Sequence, residues 1–289
     1  MIRISKDGKT LVGVESWEGL TERPGFREIV EAQEGDLDDI IGYYDLRPLG
    51  QCGLKGCRHW HYRGLLVVLK DGTETNVGNV CGRRHFGVAW TDLKDRLIVA
   101  LNAQRHREHI TTTQALVPSL IDRLKRLREG KLQAAECYEK MHSRMTRLFD
   151  DDTAKALRLM AKTGDGKVTR EVKVSREERQ LTVGKLERGY RQEVVYIIPG
   201  IKAATSYLKL SPRRFADLIQ DLHQFRQLNA DTLCDKELKD HHRWADRIES
   251  SLSDLEDVLT DCQRFLVRTN IQEINRLKPL LRDVLRKVA

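Results

Sequence analysis

The sequence is poor in proline, with six in 289 residues, and poor in aromatic side chains, at 6%. Both scarcities argue against a β-sandwich or barrel, and the 33% of charged residues favours long amphipathic helices. No run of twenty apolar residues occurs, and no charged stretch leads into an apolar signal core, so neither a membrane partner nor a secretory route is expected. The expected location is cytoplasmic. The chain also lacks a phosphate-binding glycine loop, a dinucleotide glycine pattern, a Ser-His-Asp signature and the elements of a kinase, which excludes the familiar nucleotide-driven and hydrolytic enzymes. No catalytic residue is assigned. A disulfide framework is missing too: Cys137, Cys234 and Cys262 lie far apart in helical patterns, where small core residues are expected.

What charge there is has an uneven distribution. The formal net charge is +8, yet residues 1 to 50 carry six basic and eleven acidic side chains. Residues 51 to 90 carry six and two, and residues 102 to 149 carry ten and five. A basic field over the cysteine region and the middle of the chain permits a polyanionic partner without requiring one.

The hydrophobic pattern predicts a mainly α protein with a small α+β N-terminal part. Residues 1 to 90 form that part, with a few short strands and a small helix expected in the first fifty. Residues 91 to 289 form a helical or coiled-coil domain. A helix is expected from Thr91, and a second over 117 to 148, where Val117, Leu120, Ile121, Leu124, Met141 and Met145 recur at three- and four-residue steps. From about 164 to 200 the period changes to two, which predicts an inserted β-hairpin. Ser211 and Pro212 then open a helix. Leu238, His242, Ala245, Ile248, Leu252, Leu255, Leu259, Cys262 and Leu266 form a heptad-like seam, suited to a bundle within the chain or to a homodimer. A last helix, bent at Pro279, is expected to bury Ile271, Ile274, Leu277, Leu281, Val284 and Val288.

The one stretch rich in chemistry is "CGLKGCRHWH" at 52 to 61 with "CGRRHFG" at 81 to 87. It places three cysteines and three histidines within 34 positions. A closed zinc site takes four ligands in two local pairs. Cys52 and Cys57 make one pair, with Gly53 and Gly56 allowing the backbone to curl, and Cys81 and His85 make the other, four apart on one helix face. Between them lie two candidate strands joined by Asp71-Gly72, a strong hairpin signal. Knuckle, hairpin and helix start, over residues 50 to 95, resemble a treble-clef zinc finger. That resemblance implies one structural Zn2+ per chain on Cys52, Cys57, Cys81 and His85, with His61 the alternative fourth ligand and His59 a less favoured one. The knuckle departs from the usual pattern by having four intervening residues.

Three readings of function follow. In the first, the finger binds nucleic acid through Lys55, Arg58, Arg63, Arg83, Arg84 and Tyr62, a mixture of cations and aromatic surface that suits phosphate and unpaired bases. Phe86 and Trp60 are expected in the finger's own small core. In the second, the helices are a scaffold that pairs with another protein or with a second copy, and the finger stiffens one end. In the third, His59 or His61, Asn79 and His85 resemble the arrangement of a ββα-metal nuclease, although the acidic residue usual beside the base histidine is missing.

Overall fold

A computed structural model describes residues 2–5, 11–14, 16–131, 133–175 and 190–286. The protein is mostly helical. It forms two compact units, one from residues 1–112 and 229–242, the other from 113–228 and 243–289. The boundary expected near residue 90 lies inside a helix.

The first unit is built on a five-stranded antiparallel sheet in the order β2-β1-β3-β4-β5, from β1 (Ile2–Ser5), β2 (Leu11–Val14), β3 (Leu37–Gln51), β4 (Trp60–Leu69) and β5 (Glu74–Val77). A short helix α1 (Trp17–Thr21) is capped by Ser16, whose hydroxyl accepts from the Gly19 amide at 3.2 Å. The sequence pattern anticipated short strands in this region, yet β3 runs for fifteen residues. Its register against β4 shifts three times, and Pro48 falls in the last irregularity, between Asp45 and Gly50, where the ladder demands no amide from it.

β4 changes character along its length: Trp60 to Arg63 face solvent or are half-buried, whereas Gly64 to Leu69 are buried apart from half-buried Val68. Alternation splits the covered half. Leu65, Val67 and Leu69 join Val30, Cys52, Leu54, Val77, Phe86, Trp90 and Leu97 in one core, and Leu66 joins Leu20, Phe26, Tyr44 and Leu46 in another. The hairpin turn between β4 and β5 is the expected one, with Gly72 at φ 84°. Helix α2 (Asn79–Arg128) begins two residues after β5, and the helix expected from Thr91 is its longer part, which starts after a break a few residues earlier. Its helical path is broken at Gly87, with φ 57° and ψ −127°.

In the second unit the expected single stripe over 117 to 148 is divided. After α2 ends, α3 (Ala134–Ser143) follows a turn at Gly130, and a π-helical turn covers Arg144–Leu148. Helix α4 (Asp151–Thr163) is capped by Asp150, which accepts from Thr153 at 2.9 Å, and is closed by Gly164 in the left-handed conformation. The expected hairpin is β6 (Lys167–Lys173) paired with β7 (Tyr190–Ile197); its middle, residues 176–189, lies outside the described residues. Then come α5 (Ala203–Ser206), α6 (Pro212–Gln227), with Ser211 and Pro212 in their expected places, α7 (Asp235–Phe265), α8 (Arg268–Arg276) and α9 (Lys278–Arg286). The last helical stretch is therefore two helices, with Pro279 in the first turn of the second, where a missing amide costs little.

The seam of α7 is covered by the chain itself: Leu252, Leu255, Leu259 and Cys262 are all buried within one molecule. Arg123 on α2 locks the flank with a two-pronged pair to Glu256 at 2.7 Å and a bond to Glu249 at 2.6 Å. Cys137 is buried as expected, but Cys234 is exposed ahead of α7. Burial inside a single chain predicts that Leu252→Asp or Leu255→Asp costs at least about 3 kcal/mol each, because a cavity and an unpaired charge replace packed methyls. Circular dichroism melts should show lost helicity with no change from a dimer to a folded monomer in light scattering.

Candidate metal centre

The three cysteines of the motif come together. Cys52, Cys57 and Cys81 have their sulfurs within 4.8 Å of one another, and Cys57 Sγ is 3.4 Å from Cys81 Sγ. Two sulfurs each about 2.3 Å from a tetrahedral zinc stand roughly 3.8 Å apart, so this spacing is near that of ligands sharing an ion. All three are free thiols. The group could hold a metal ion.

The local backbone explains why they meet. Cys52 follows β3, and its amide donates to the His59 carbonyl at 3.0 Å, closing the loop as β4 begins. Inside the loop the Cys57 amide donates to the Leu54 carbonyl at 2.9 Å, a tight turn whose third position is Gly56 at φ 80°, a conformation that favours glycine. Gly53 is required for space, since a Cβ there would run into the Thr75 hydroxyl. Its amide donates to the Asn76 carbonyl at 2.8 Å, pinning the knuckle to β5. On the other side, the Val30 amide donates to the Gly53 carbonyl at 2.7 Å and the Lys55 amide to the Val30 carbonyl at 2.8 Å. That segment is tied to β5 by the Arg23–Glu74 ion pair, at 2.5 and 2.8 Å. Cys81 then arrives on the first turn of α2.

Backbone amides are aimed at the sulfurs. Those of Leu54 and Gly78 reach Cys52, and that of His59 reaches Cys57. Burial pushes the Cys57 thiol up, but the His59 amide and ring, with the Cys81 and Cys52 thiols, outweigh it and hold the thiol down at about 7. Burial and then the neighbouring thiols push Cys81 up to about 12, and burial raises Cys52. Without a cation, one proton comes off easily and the others do not, because adjacent thiolates repel.

The histidines are arranged differently from the sequence expectation. No histidine belongs to the group of three sulfurs. His85 is turned to the carbonyl of Ala32, with Nε2 at 2.7 Å, and its ring meets Phe86 edge-on at 4.7 Å. The i, i+4 spacing did place it near Cys81 along the helix, but its ring is occupied in holding the 23–36 segment. His61 has Nδ1 2.9 Å from the hydroxyl of buried Tyr44, and its Nε2 is buried without a hydrogen-bond partner. His59, the least favoured in the sequence, is the one in contact with the cluster: its Nδ1 is 3.3 Å from Cys57 Sγ. Asn79 accepts from Trp90 Nε1 at 3.4 Å.

The remaining expected residues are on the surface. Arg58, Arg83 and Arg84 are exposed. Lys55 pairs with Glu31 at 2.6 Å and Arg63 with Asp45 at 2.8 Å. Phe86 is fully buried, as expected, but Trp60 is 62% exposed rather than in the core, and Tyr62 is 41% exposed. Arg47 and Arg63 lie 5.6 and 5.5 Å from the centre of the Tyr62 ring. The sequence reading passed over Arg47, which β3 brings alongside, and Tyr44 and Asn76, whose apolar-looking or turn-like context concealed that both are buried polar anchors of the knuckle.

Compared with protein-family profiles, with curated proteins and with solved structures, the chain matches none.

The thiol arrangement predicts that, in chelator-treated protein, Cys57 is alkylated by iodoacetamide ahead of Cys52 and Cys81. Its rate should be half-maximal near pH 7, because a lowered thiol pKa leaves thiolate present at lower pH. Equimolar zinc should protect all three, as followed by mass spectrometry of peptides.

Proposed function

We propose that the N-terminal unit is a zinc-stabilised nucleic-acid-binding module of treble-clef type, with the helical second unit as its scaffold. The observation that carries this reading is the convergence of three sulfurs on amide-lined positions at a knuckle and a helix start. Thiolates are soft donors that select zinc over magnesium or calcium, and a three-cysteine shell suits a structural role. Cys52, Cys57 and Cys81 would hold the ion, and His59, by its contact with Cys57, is the favoured fourth ligand. When bound, zinc supplies charge that keeps all three thiols ionised and adds its binding energy to folding.

The nucleic-acid part rests on the surface beside the knuckle. Trp60 and Tyr62 are alternate residues of β4 and so lie on one side of the strand, both open to solvent. These exposed rings, with Arg47 beside Tyr62 and with Arg58, Arg83 and Arg84 exposed in the same motif, would supply stacking and phosphate contacts, a combination that favours single strands. Lys55 and Arg63, already paired, contribute less.

Elemental mass spectrometry of the purified chain should find one zinc, lost in Cys57→Ser and reduced in His59→Ala but retained in His85→Ala. Zinc-free protein prepared without chelator would overturn the metal reading. Binding to single-stranded DNA or RNA should fall steeply with salt, since each neutralised phosphate releases counterions, and Arg83→Ala with Arg84→Ala should flatten that slope by about one to two. Trp60→Ala should weaken binding about tenfold or more without changing the slope. Absence of salt-sensitive binding to either nucleic acid would leave the protein-partner reading.

A further inference from the structure

We propose that a pocket beside the knuckle takes one unpaired guanine of a single-stranded nucleic acid, an inference that rests on the nucleic-acid reading above and names what that surface selects. The pocket lies wholly within the first unit and has a volume of about 290 Å³, with Trp17, Phe26, Glu28, Gln51, Trp60 and Asn76 among the residues that line it. Small-ligand sites run from about 300 Å³ upward, so this one suits a single flat ring system rather than a whole cofactor. Trp17 is fixed in place: its indole N–H donates to the Pro48 carbonyl at 2.8 Å, its ring meets Tyr44 edge-on at 5.2 Å, and it packs so closely on Gly50 that a Cβ there would strike it. Trp60, opposite Gln51 in the β3–β4 ladder, is open to solvent. One rigid indole and one adaptable indole, beside buried Phe26, offer stacking surface that any base could use.

The polar groups choose among the bases. Glu28 is exposed, and a carboxylate only accepts. Asn76 is buried and uses its amide nitrogen on the Gln51 carbonyl at 2.7 Å and the Tyr44 hydroxyl at 3.5 Å, which leaves its Oδ1, a second acceptor, for a ligand. Acceptors call for a ligand edge with adjacent donors. The Watson–Crick edge of guanine presents two, N1–H and the 2-amino group. Adenine and cytosine present one amino group beside an acceptor, and thymine or uracil one N–H between two acceptors that a carboxylate repels. The same edge is occupied in a duplex, so only an unpaired base can use it. The exposed side-chain amide of Gln51 can donate to guanine O6. A carboxylate among aromatic rings also suits a cationic side chain, but exposed Arg58, Arg83 and Arg84 of the cysteine motif repel a cation and attract a polyanion.

The test is fluorescence anisotropy with the full-length protein as purified and short labelled thymidine strands that carry guanine, hypoxanthine, adenine or thymine at the centre. The guanine strand should bind about tenfold more tightly than the thymine or adenine strand, with hypoxanthine, which lacks the 2-amino group, between them. Glu28→Gln, a change on an exposed side chain, should bring the guanine-to-thymine ratio close to one. Free GMP should compete at least about tenfold less well than the guanine strand, since it lacks the neighbouring phosphates. Equal, salt-sensitive binding of all four strands would overturn the pocket and leave the nucleic-acid reading standing, whereas no salt-sensitive binding to any strand would remove both. GMP competing as well as the strand would assign the pocket to a free nucleotide, and argininamide doing so would assign it to a cationic side chain; either result overturns the proposal, as does a guanine preference that survives Glu28→Gln. Because the comparison of four strands uses the unmodified chain, it decides even where the variant fails to fold.

Discussion

The amide of Gly53 bonded to the carbonyl of Asn76 holds the knuckle against the end of β5, and the arrangement of the first unit depends on that join. Because β5 passes into α2 through Gly78, fixing the knuckle to Asn76 also fixes its distance from Cys81. The side chain of Asn76 reinforces the same join by donating to the Gln51 carbonyl at 2.7 Å, at the point where β3 ends and Cys52 begins. A buried amide that spans two strand ends in this way is costly to leave unsatisfied, so it specifies one arrangement of the loop. Cys52, packed in the apolar core beside Leu54 and Phe86, is then both a core residue and one of the three thiols that could hold a metal ion.

The 23–36 segment is the second brace. It has almost no regular structure, yet it makes backbone bonds to the knuckle and to β5, an ion pair from Arg23 to Glu74, and an accepting carbonyl at Ala32 for His85. It packs against both the knuckle and β5, and it takes up the histidine that spacing alone had assigned to the metal.

Much of this was legible in the residues. The clustering of cysteines, the two glycines of the knuckle, the Asp-Gly turn and the helix start near Cys81 each follow from local chemistry, and the structure assembles them in that order. The inserted hairpin, the capped helix from Pro212 and the buried face of the 238 to 266 helix were equally readable, because period and capping are properties of neighbouring residues. The continuity of α2 was not. Residues 102 to 116 are mostly polar, so a periodicity argument sees two helices where, beyond the break at Gly87, the helix continues to Arg128.

By itself the sequence determined which residue types stand close along the chain and which faces of helices and strands are apolar, since both depend on spacing of a few residues. Only the tertiary structure decided among three nearby histidines, because the choice turns on partners remote in sequence: Ala32 for His85, Tyr44 for His61 and the turn at Cys57 for His59. Likewise, nothing local links His106 and His109 to His242, more than a hundred residues away. Their stacking exists because two long helices are brought side by side, and that proximity is set by long-range packing rather than by any motif.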